Sequence, residues 1–360
     1  MRPWHHERCL ELEARGRPRR DGALVSGDRL RARFVLRPDA YERIYGPDQR
    51  AAIEELVEVV GPPETAERVA QDPDILSDVE VLLSGWGAPL LTAELLDKAP
   101  KLRLVLYGAG AVRGFVTDVL FERAIKLSSA ASANAVPVAE YTLATVLFSL
   151  KHGWRFVRRA IADPADPDRQ AVPGAYHATV GLAGLGAIGR LVRERLRPFD
   201  LAVLAYDPYC SEAEARALKV SLVSLEELFA RSSVVSLHVP LYEATRAMIG
   251  RDLLALMPQG ATIINTARGA LVRHDELAAV LAERPDLDAV LDVTDPEPLP
   301  AGHRLLELDN VVLTPHIAGS LGPECLRLGD LVVGELRRYL AGEPLAYEVD
   351  PKLLPIQAEP

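Results

Sequence analysis

Cysteine is scarce in this chain. Only Cys9, Cys210 and Cys325 occur among 360 residues, far apart and without C-x-x-C spacing. That argues against a disulfide framework or a cysteine metal ribbon and suits a reducing cytoplasm. Long apolar runs are also missing. No stretch reaches the roughly 18 residues that a membrane span needs. The opening segment MRPWHHERCLELEARGRPRR carries charge with no apolar core behind it, unlike a signal peptide. Positive charge is in deficit: 41 Lys and Arg stand against 51 Asp and Glu, a formal net charge of -10. No basic block occurs in the body of the chain to offset that balance, so a nucleic-acid surface is not expected. Gly (25) and Pro (27) stand near average usage, which excludes collagen-like and low-complexity classes. What remains is an ordinary globular composition, long enough for two domains.

Residues 1–30 are rich in Arg, Glu and Gly and poor in periodic apolar positions, which predicts a mobile tail. His5, His6 and Cys9 lie there without rigid support around them, so no metal site is expected. Strands are then predicted at RFVLRP (33–38), DVEVLLSGWG (78–87), LRLVLYGAG (102–110) and IKLSSA. Helices are predicted at AAIEELVEVV (51–60), at TAELLDKAP (92–100) with Thr92 as N-cap, and in GFVTDVLFERA. NAVPVAEYTLATVLFSL reads as a buried helix between two domains, with Asn134 as its cap and Pro137 in its first turn. ADPADPDRQAVPGAYHA (162–178) reads as a surface loop.

A second alternation follows: TVGLAG, LAVLAYD, SVVSLHV, ATIINTA, LDAVLDV and NVVLTP. Strands separated by helices imply parallel sheets covered on both faces. The expected fold class is therefore α/β with two doubly wound domains. One is Rossmann-type (134–320). The other is flavodoxin-like and discontinuous (31–133 and 321–360), completed by the helix in ECLRLGDLVVGELRRYLAG.

TVGLAGLGAIGRLVRERL places G-x-G-x-x-G, as Gly184, Gly186 and Gly189, between a strand and a helix. Gly184 permits the tight turn, Gly186 lets backbone approach a pyrophosphate, and Gly189 lets helix and strand pack closely. Ala187 and Ile188 open the helix whose positive end would hold the phosphates. Asp207 ends the next strand, 18 residues beyond Gly189. A carboxylate there binds ribose hydroxyls and repels a 2′-phosphate, so NAD is expected over NADP.

Other strands of this unit also end in polar groups. Arg268 follows a buried strand and can grip a carboxylate through two parallel hydrogen bonds. Asp292, Asp295 and Glu297 follow another, where loop acids are usually solvated. His316 follows the last strand directly after Pro315. His238, before Pro240, is the rival histidine, and spacing alone leaves it either lining a nicotinamide pocket or buried in the core.

The motifs GLAGLGAIG, YDPY, SLHVPL, INTARGALV, LDVTDPEPLP and TPHIAGS, in that order, resemble the D-isomer-specific 2-hydroxyacid dehydrogenases, the family of phosphoglycerate, glycerate and D-lactate dehydrogenases. The similarity runs from about residue 33 to about 345. It implies an NAD-dependent oxidoreductase that interconverts a D-2-hydroxy acid and its 2-keto acid in a cleft between domains. In that resemblance Arg268 anchors substrate, Glu297 partners the histidine, and His316 is the acid/base. Asp292 faces the nicotinamide carboxamide. His238, Pro240, Thr245, Thr266, Ala267, His316 and Gly319 join the glycine turn and Asp207 around the cofactor. A histidine suits proton exchange in both directions, and a neighbouring carboxylate stabilises its imidazolium.

In the first domain, Gly85, Trp86 and Gly87 (SGWGAP) and Tyr107, Gly108, Ala109 and Gly110 (YGAGAV) are the expected substrate loops, with backbone N–H groups able to cradle a carboxylate. Trp86 and Tyr107 either shape the pocket or simply pack. After GAG the chain reads AVRGFV, where many members have an acidic, Asn-containing turn, so the substrate is left open. Arg113 there is either an anion contact or a surface residue. The resemblance also implies a homodimer built through the nucleotide domain. It leaves one rival from another class, an NAD(H)-sensing, corepressor-like module with little turnover.

Overall fold

The structure is a computed structural model, described for residues 29–162 and 172–356. The expected tail, with His5, His6 and Cys9, lies outside the described residues except for its last two positions. So does the central part of the 162–178 loop. By contacts the chain divides into one unit comprising 1–110, 119–132 and 329–348, and a second comprising 111–118, 133–328 and 349–360.

The first unit contains β1 (Arg31–Val35), α1 (Pro38–Ile44), α2 (Pro47–Leu56), β2 (Glu58–Val59), α3 (Ala66–Gln71), β3 (Val81–Ser84), α4 (Ala93–Asp97), β4 (Leu104–Tyr107), α5 (Asp118–Glu122) and β5 (Lys126–Ser129). Its sheet is parallel, in the order β2-β1-β3-β4-β5, a flavodoxin-like arrangement. Every residue of β3 and β4 is buried, as a parallel sheet covered on both faces requires. Thr92 caps α4 as expected, its side chain accepting the Leu95 N–H. The helix expected over 51–60 instead spans Pro47–Leu56, with proline in its first turn. Glu58 and Val59 leave it to pair with Arg31 and Ala32, because sheet pairing outweighs the helical period at this edge.

Two helices come next, α6 (Ala131–Ser149) and α7 (Gly153–Ala162). α6 starts three residues before the expected cap, where the Ser129 hydroxyl accepts the Ala131 N–H. Asn134 therefore sits inside the helix and Pro137 in its second turn. The Asn134 side chain turns instead to the Ser320 N–H, 2.9 Å away.

The second unit continues with β6 (Thr179–Ala183), α8 (Ala187–Arg195), β7 (Ala202–Tyr206), α9 (Glu212–Leu218), β8 (Ser221–Leu222), α10 (Leu225–Arg231), β9 (Val234–Leu237), α11 (Arg251–Ala255), β10 (Thr262–Asn265), α12 (His274–Glu283), β11 (Asp288–Leu291) and β12 (Val311–Leu313). The seven parallel strands run β12-β11-β10-β9-β6-β7-β8, which is Rossmann order with one added strand. The direction of winding reverses between β6 and β9, and in such sheets ligands bind at that point beyond the strands' carboxyl ends. Leu237, Ile263, Ala289 and Leu291 belong to the core cluster that holds these strands together. The two-residue β8 was not visible in the sequence pattern.

The last helix, α13 (Leu326–Leu340), carries Gly329, where a Cβ would collide with the Ile44 carbonyl of α1. Its buried Glu335 accepts hydrogen bonds from Ser128 Oγ and from the Ala346 and Tyr347 N–H groups. Among the described residues no helix is long and apolar enough to cross a membrane.

Candidate active site

The turn after β6 has three glycines with three different needs. Gly184 has φ +99°, and a Cβ on it would meet the His238 carbonyl oxygen at 2.7 Å. A Cβ on Gly189 would run into the Gly184 carbonyl oxygen. One on Gly186 would meet nothing within 4 Å. The protein itself thus requires the first and third glycines, while the second faces open space. Gly186 is also the N-cap of α8 and makes no side-chain bond there, so the helix presents uncapped N–H groups at its positive end. Asp207 lies one residue past β7. Its Oδ2 accepts the Leu185 N–H at 2.7 Å and its Oδ1 the Tyr209 N–H at 2.8 Å. It is only half-buried, and a carboxylate keeps lone pairs beyond those two bonds. An open glycine turn, an uncapped helix end and a braced carboxylate fit the diphosphate and ribose of a dinucleotide.

The loops after β10, β11 and β12 bring Arg268, Glu297 and His316 together around one depression of about 430 Å³, lined also by Leu241, Arg246 and Thr294. Nδ1 of His316 is 2.8 Å from Oε1 of Glu297. Since a carboxylate only accepts, Nδ1 carries the hydrogen and Nε2 is left for another partner. His316 has φ +55°, a left-handed backbone that costs a non-glycine residue about 1–2 kcal/mol. Hydrogen bonds hold it there: its own N–H donates to the Asp292 carbonyl at 2.9 Å.

Arg268 follows β10 in extended backbone. Asn265, fully buried, clamps this turn, accepting the Ala267 N–H and donating to the Arg268 carbonyl. A Cβ on Gly269 would overlap the Thr294 backbone, so the loops after β10 and β11 meet closely only because residue 269 is glycine. Burial pulls the Arg268 guanidinium below its ordinary range and the Glu297 charge opposes that. An arginine remains cationic even so.

The other expected residues occupy the same carboxyl edge of the second sheet with different neighbours. His238 is buried. Its Nε2 is 3.0 Å from Ser236 Oγ, its Nδ1 has no partner, and burial lowers its pKa to about 4. His238 is thus buried and neutral at the carboxyl end of β9. Thr245 Oγ1 donates to the Pro240 carbonyl and braces that turn. Thr266 is buried beside Thr142, and Gly319 lies against Asn134. Asp292 is 2 % exposed, and its carboxylate accepts from Thr314 Oγ1, Ile317 N–H and Ala318 N–H. Among the described residues no group of three or more His, Cys, Asp or Glu is placed to hold a metal ion.

In the first unit, Gly85–Gly87 and Tyr107–Gly110 leave β3 and β4. Cβ atoms on Gly85 and Gly108 would crowd Ile44, at 2.7 and 2.8 Å, so those two glycines make room for packing. The Gly108 N–H is already committed to the Ser84 carbonyl and is not available to cradle an anion. Trp86 is half-buried with the Arg43 guanidinium 5.2 Å from its ring centre. Tyr107 is buried and its pKa pushed up to about 12 by desolvation. Sequence reasoning missed Arg246, an ordinary loop arginine in LYEATRAMI, and Tyr141 and Thr314, whose hydroxyls look like helix and strand-end filler.

Residues 144–318 match the family model described as "D-isomer specific 2-hydroxyacid dehydrogenase, NAD binding domain". The chain is 32% identical over 295 residues to a D-3-phosphoglycerate dehydrogenase of Methanocaldococcus jannaschii, covering 80% of this chain and 55% of that protein. It thus spans about half the length of that relative. It is 37% identical over 285 residues to an (S)-sulfolactate dehydrogenase of Chromohalobacter salexigens, covering 76% of this chain and 91% of the other. The crystal structure of Rhodotorula graminis D-mandelate dehydrogenase in its apo form resembles it with a TM-score of 0.75 at 25% identity, over 89% of this chain and 98% of that one.

Proposed function

Since this chain belongs to the D-isomer specific 2-hydroxyacid dehydrogenase family, we propose that it interconverts a D-2-hydroxy acid and its 2-keto acid with NAD. The observation that carries the proposal is the meeting of Arg268, Glu297 and His316 around one depression. Held at the glycine turn, the cofactor would supply the hydride as NADH for keto-acid reduction and accept it as NAD+ in the reverse direction. The chain's own residues do the rest. Arg268 grips the substrate carboxylate and stabilises charge on the keto oxygen as it develops. His316, its Nδ1–H held by Glu297, delivers a proton from Nε2 to that oxygen and takes it back in the reverse direction. Arg246 adds a second positive charge at the depression of a chain whose net charge is -10, and so draws an anionic substrate inward. Asp207 favours NAD by accepting ribose hydroxyls.

The proposal also keeps residues 85–87 and 107–110 as substrate contacts, apart from the Gly108 N–H that Ser84 holds, with Trp86 and Tyr107 for the substrate's side chain. A cytoplasmic homodimer is part of it as well. The scattered cysteines support the compartment, and exposed Phe148 and Val157 on α6 and α7 support the dimer.

The experiment is NADH oxidation followed at 340 nm against a panel of 2-keto acids. Turnover at ordinary enzyme rates supports the dehydrogenase. Tight NADH binding with no turnover across the panel favours the NAD-sensing module instead.

A further inference from the structure

We infer that Tyr141 is a positioning residue for His316, acting through Thr314 and Asp292 across hydrogen bonds inside the second unit. The inference rests on the acid/base reading of His316.

His316 is exposed, and its imidazole is oriented by one side-chain bond, to Glu297. A side chain this open depends on its backbone for a fixed position. That backbone is left-handed at residue 316 and needs an external clamp. Asp292 provides it at three points. Its carbonyl accepts the His316 N–H at 2.9 Å, its Oδ1 the Ile317 N–H at 2.8 Å, and its Oδ2 the Ala318 N–H at 2.9 Å.

The clamp is itself held. Thr314 Oγ1 is 2.6 Å from Asp292 Oδ1, and Tyr141 Oη is 2.9 Å from Thr314 Oγ1. The directions of these bonds follow from proton counting. A carboxylate only accepts, so the single Thr314 hydroxyl hydrogen goes to Asp292, and Tyr141 must donate to Thr314. Partial burial raises the Tyr141 pKa, which keeps that phenol in its donating form. α6 makes a second tether two turns earlier on the same face, where Asn134 Oδ1 accepts the Ser320 N–H. The segment from 314 to 320 is thus fixed to one helix near both its ends, with His316 between the two points.

Removing one bond of this chain loosens the histidine while leaving the Arg268 contact and the glycine turn untouched. Tyr141→Phe keeps the ring and deletes only the donor. It should lower kcat about fivefold, as expected for one neutral hydrogen bond, with KM and NADH affinity unchanged. Thr314→Val also deprives the buried Asp292 of a donor and should lower kcat by about ten- to a hundredfold. Thr314→Ser, which keeps the hydroxyl, should stay near the starting rate. The solvent isotope effect on kcat should rise in Tyr141→Phe, since proton delivery becomes slower.

Unchanged kcat in Tyr141→Phe and Thr314→Val would overturn the inference. So would a fall matched by an equal loss of NADH binding, which indicates general loosening. His316→Ala separates the two levels: if that variant turns over normally, the acid/base reading fails and takes this inference with it. If it is inactive while Tyr141→Phe is at full rate, only the positioning chain fails.

Discussion

His316 and Glu297, 19 residues apart in sequence, face each other with Nδ1 and Oε1 separated by 2.8 Å. Their side chains are 51% and 41% exposed, and ion pairs that open contribute at most about 1 kcal/mol to stability. The pair therefore matters for orientation rather than for holding the fold. Glu297→Ala should lower kcat by about ten- to a hundredfold, less than loss of the proton donor itself. The thermal midpoint should barely move. A large drop in melting temperature with kcat retained would reverse that assignment.

Arg268 offers a planar fork, which a lysine cannot imitate. Arg268→Lys should raise KM for a 2-keto acid and lower kcat/KM by roughly a hundredfold, because both the two-bond grip and the charge on the developing oxyanion suffer. Arg246→Ala should raise KM alone. Steady-state kinetics on both variants check the split, and equal effects on kcat would merge the two roles.

The Asp207 carboxylate braces the glycine turn through Leu185 and Tyr209, and in the proposed function it also accepts the ribose hydroxyls. Asp207→Ala should therefore weaken NADH binding overall and narrow the preference over NADPH. Asp207→Asn, which keeps one acceptor oxygen, should weaken binding less. Isothermal titration with both nucleotides measures this, and an unchanged ratio of affinities would remove Asp207 from cofactor choice.

His238 is neutral in the folded chain, with a pKa lowered to about 4 by burial. In the unfolded chain a histidine titrates near its ordinary value of about 6.5. Between those values the unfolded state binds the extra proton, so stability falls as pH drops through that window. At pH 5 the loss amounts to about 2 kcal/mol. The fall in thermal midpoint from pH 7 to pH 5 should be smaller in His238→Gln than in the natural chain. Equal falls would contradict the assignment.

The sequence made both sheets legible because their strands are continuous apolar runs and their helices repeat every 3.6 residues. It was silent where tertiary contacts decide. Glu58 and Val59 carry a helical pattern but pair as an edge strand. Asn134 looks like a cap, yet its side chain serves Ser320 on a distant loop. The glycine turn was readable because G-x-G-x-x-G is local. The meeting of residues 268, 297 and 316 came from family resemblance, since no local pattern encodes which loops become neighbours. His238 could not be placed by spacing, because a strand-end residue can face either way. Thr314 and Tyr141 gave no signal, since one hydroxyl in a strand and another in a helix are ordinary until they are 2.9 Å apart.

The central claim is that His316 delivers the proton. The most direct measurement is single-turnover reduction of a 2-keto acid by His316→Ala loaded with NADH, beside fluorescence titration of NADH on the same preparation. We expect the rate to fall by roughly 10²–10⁴-fold while NADH affinity stays within about twofold. An undiminished rate in the variant with NADH bound would contradict the account.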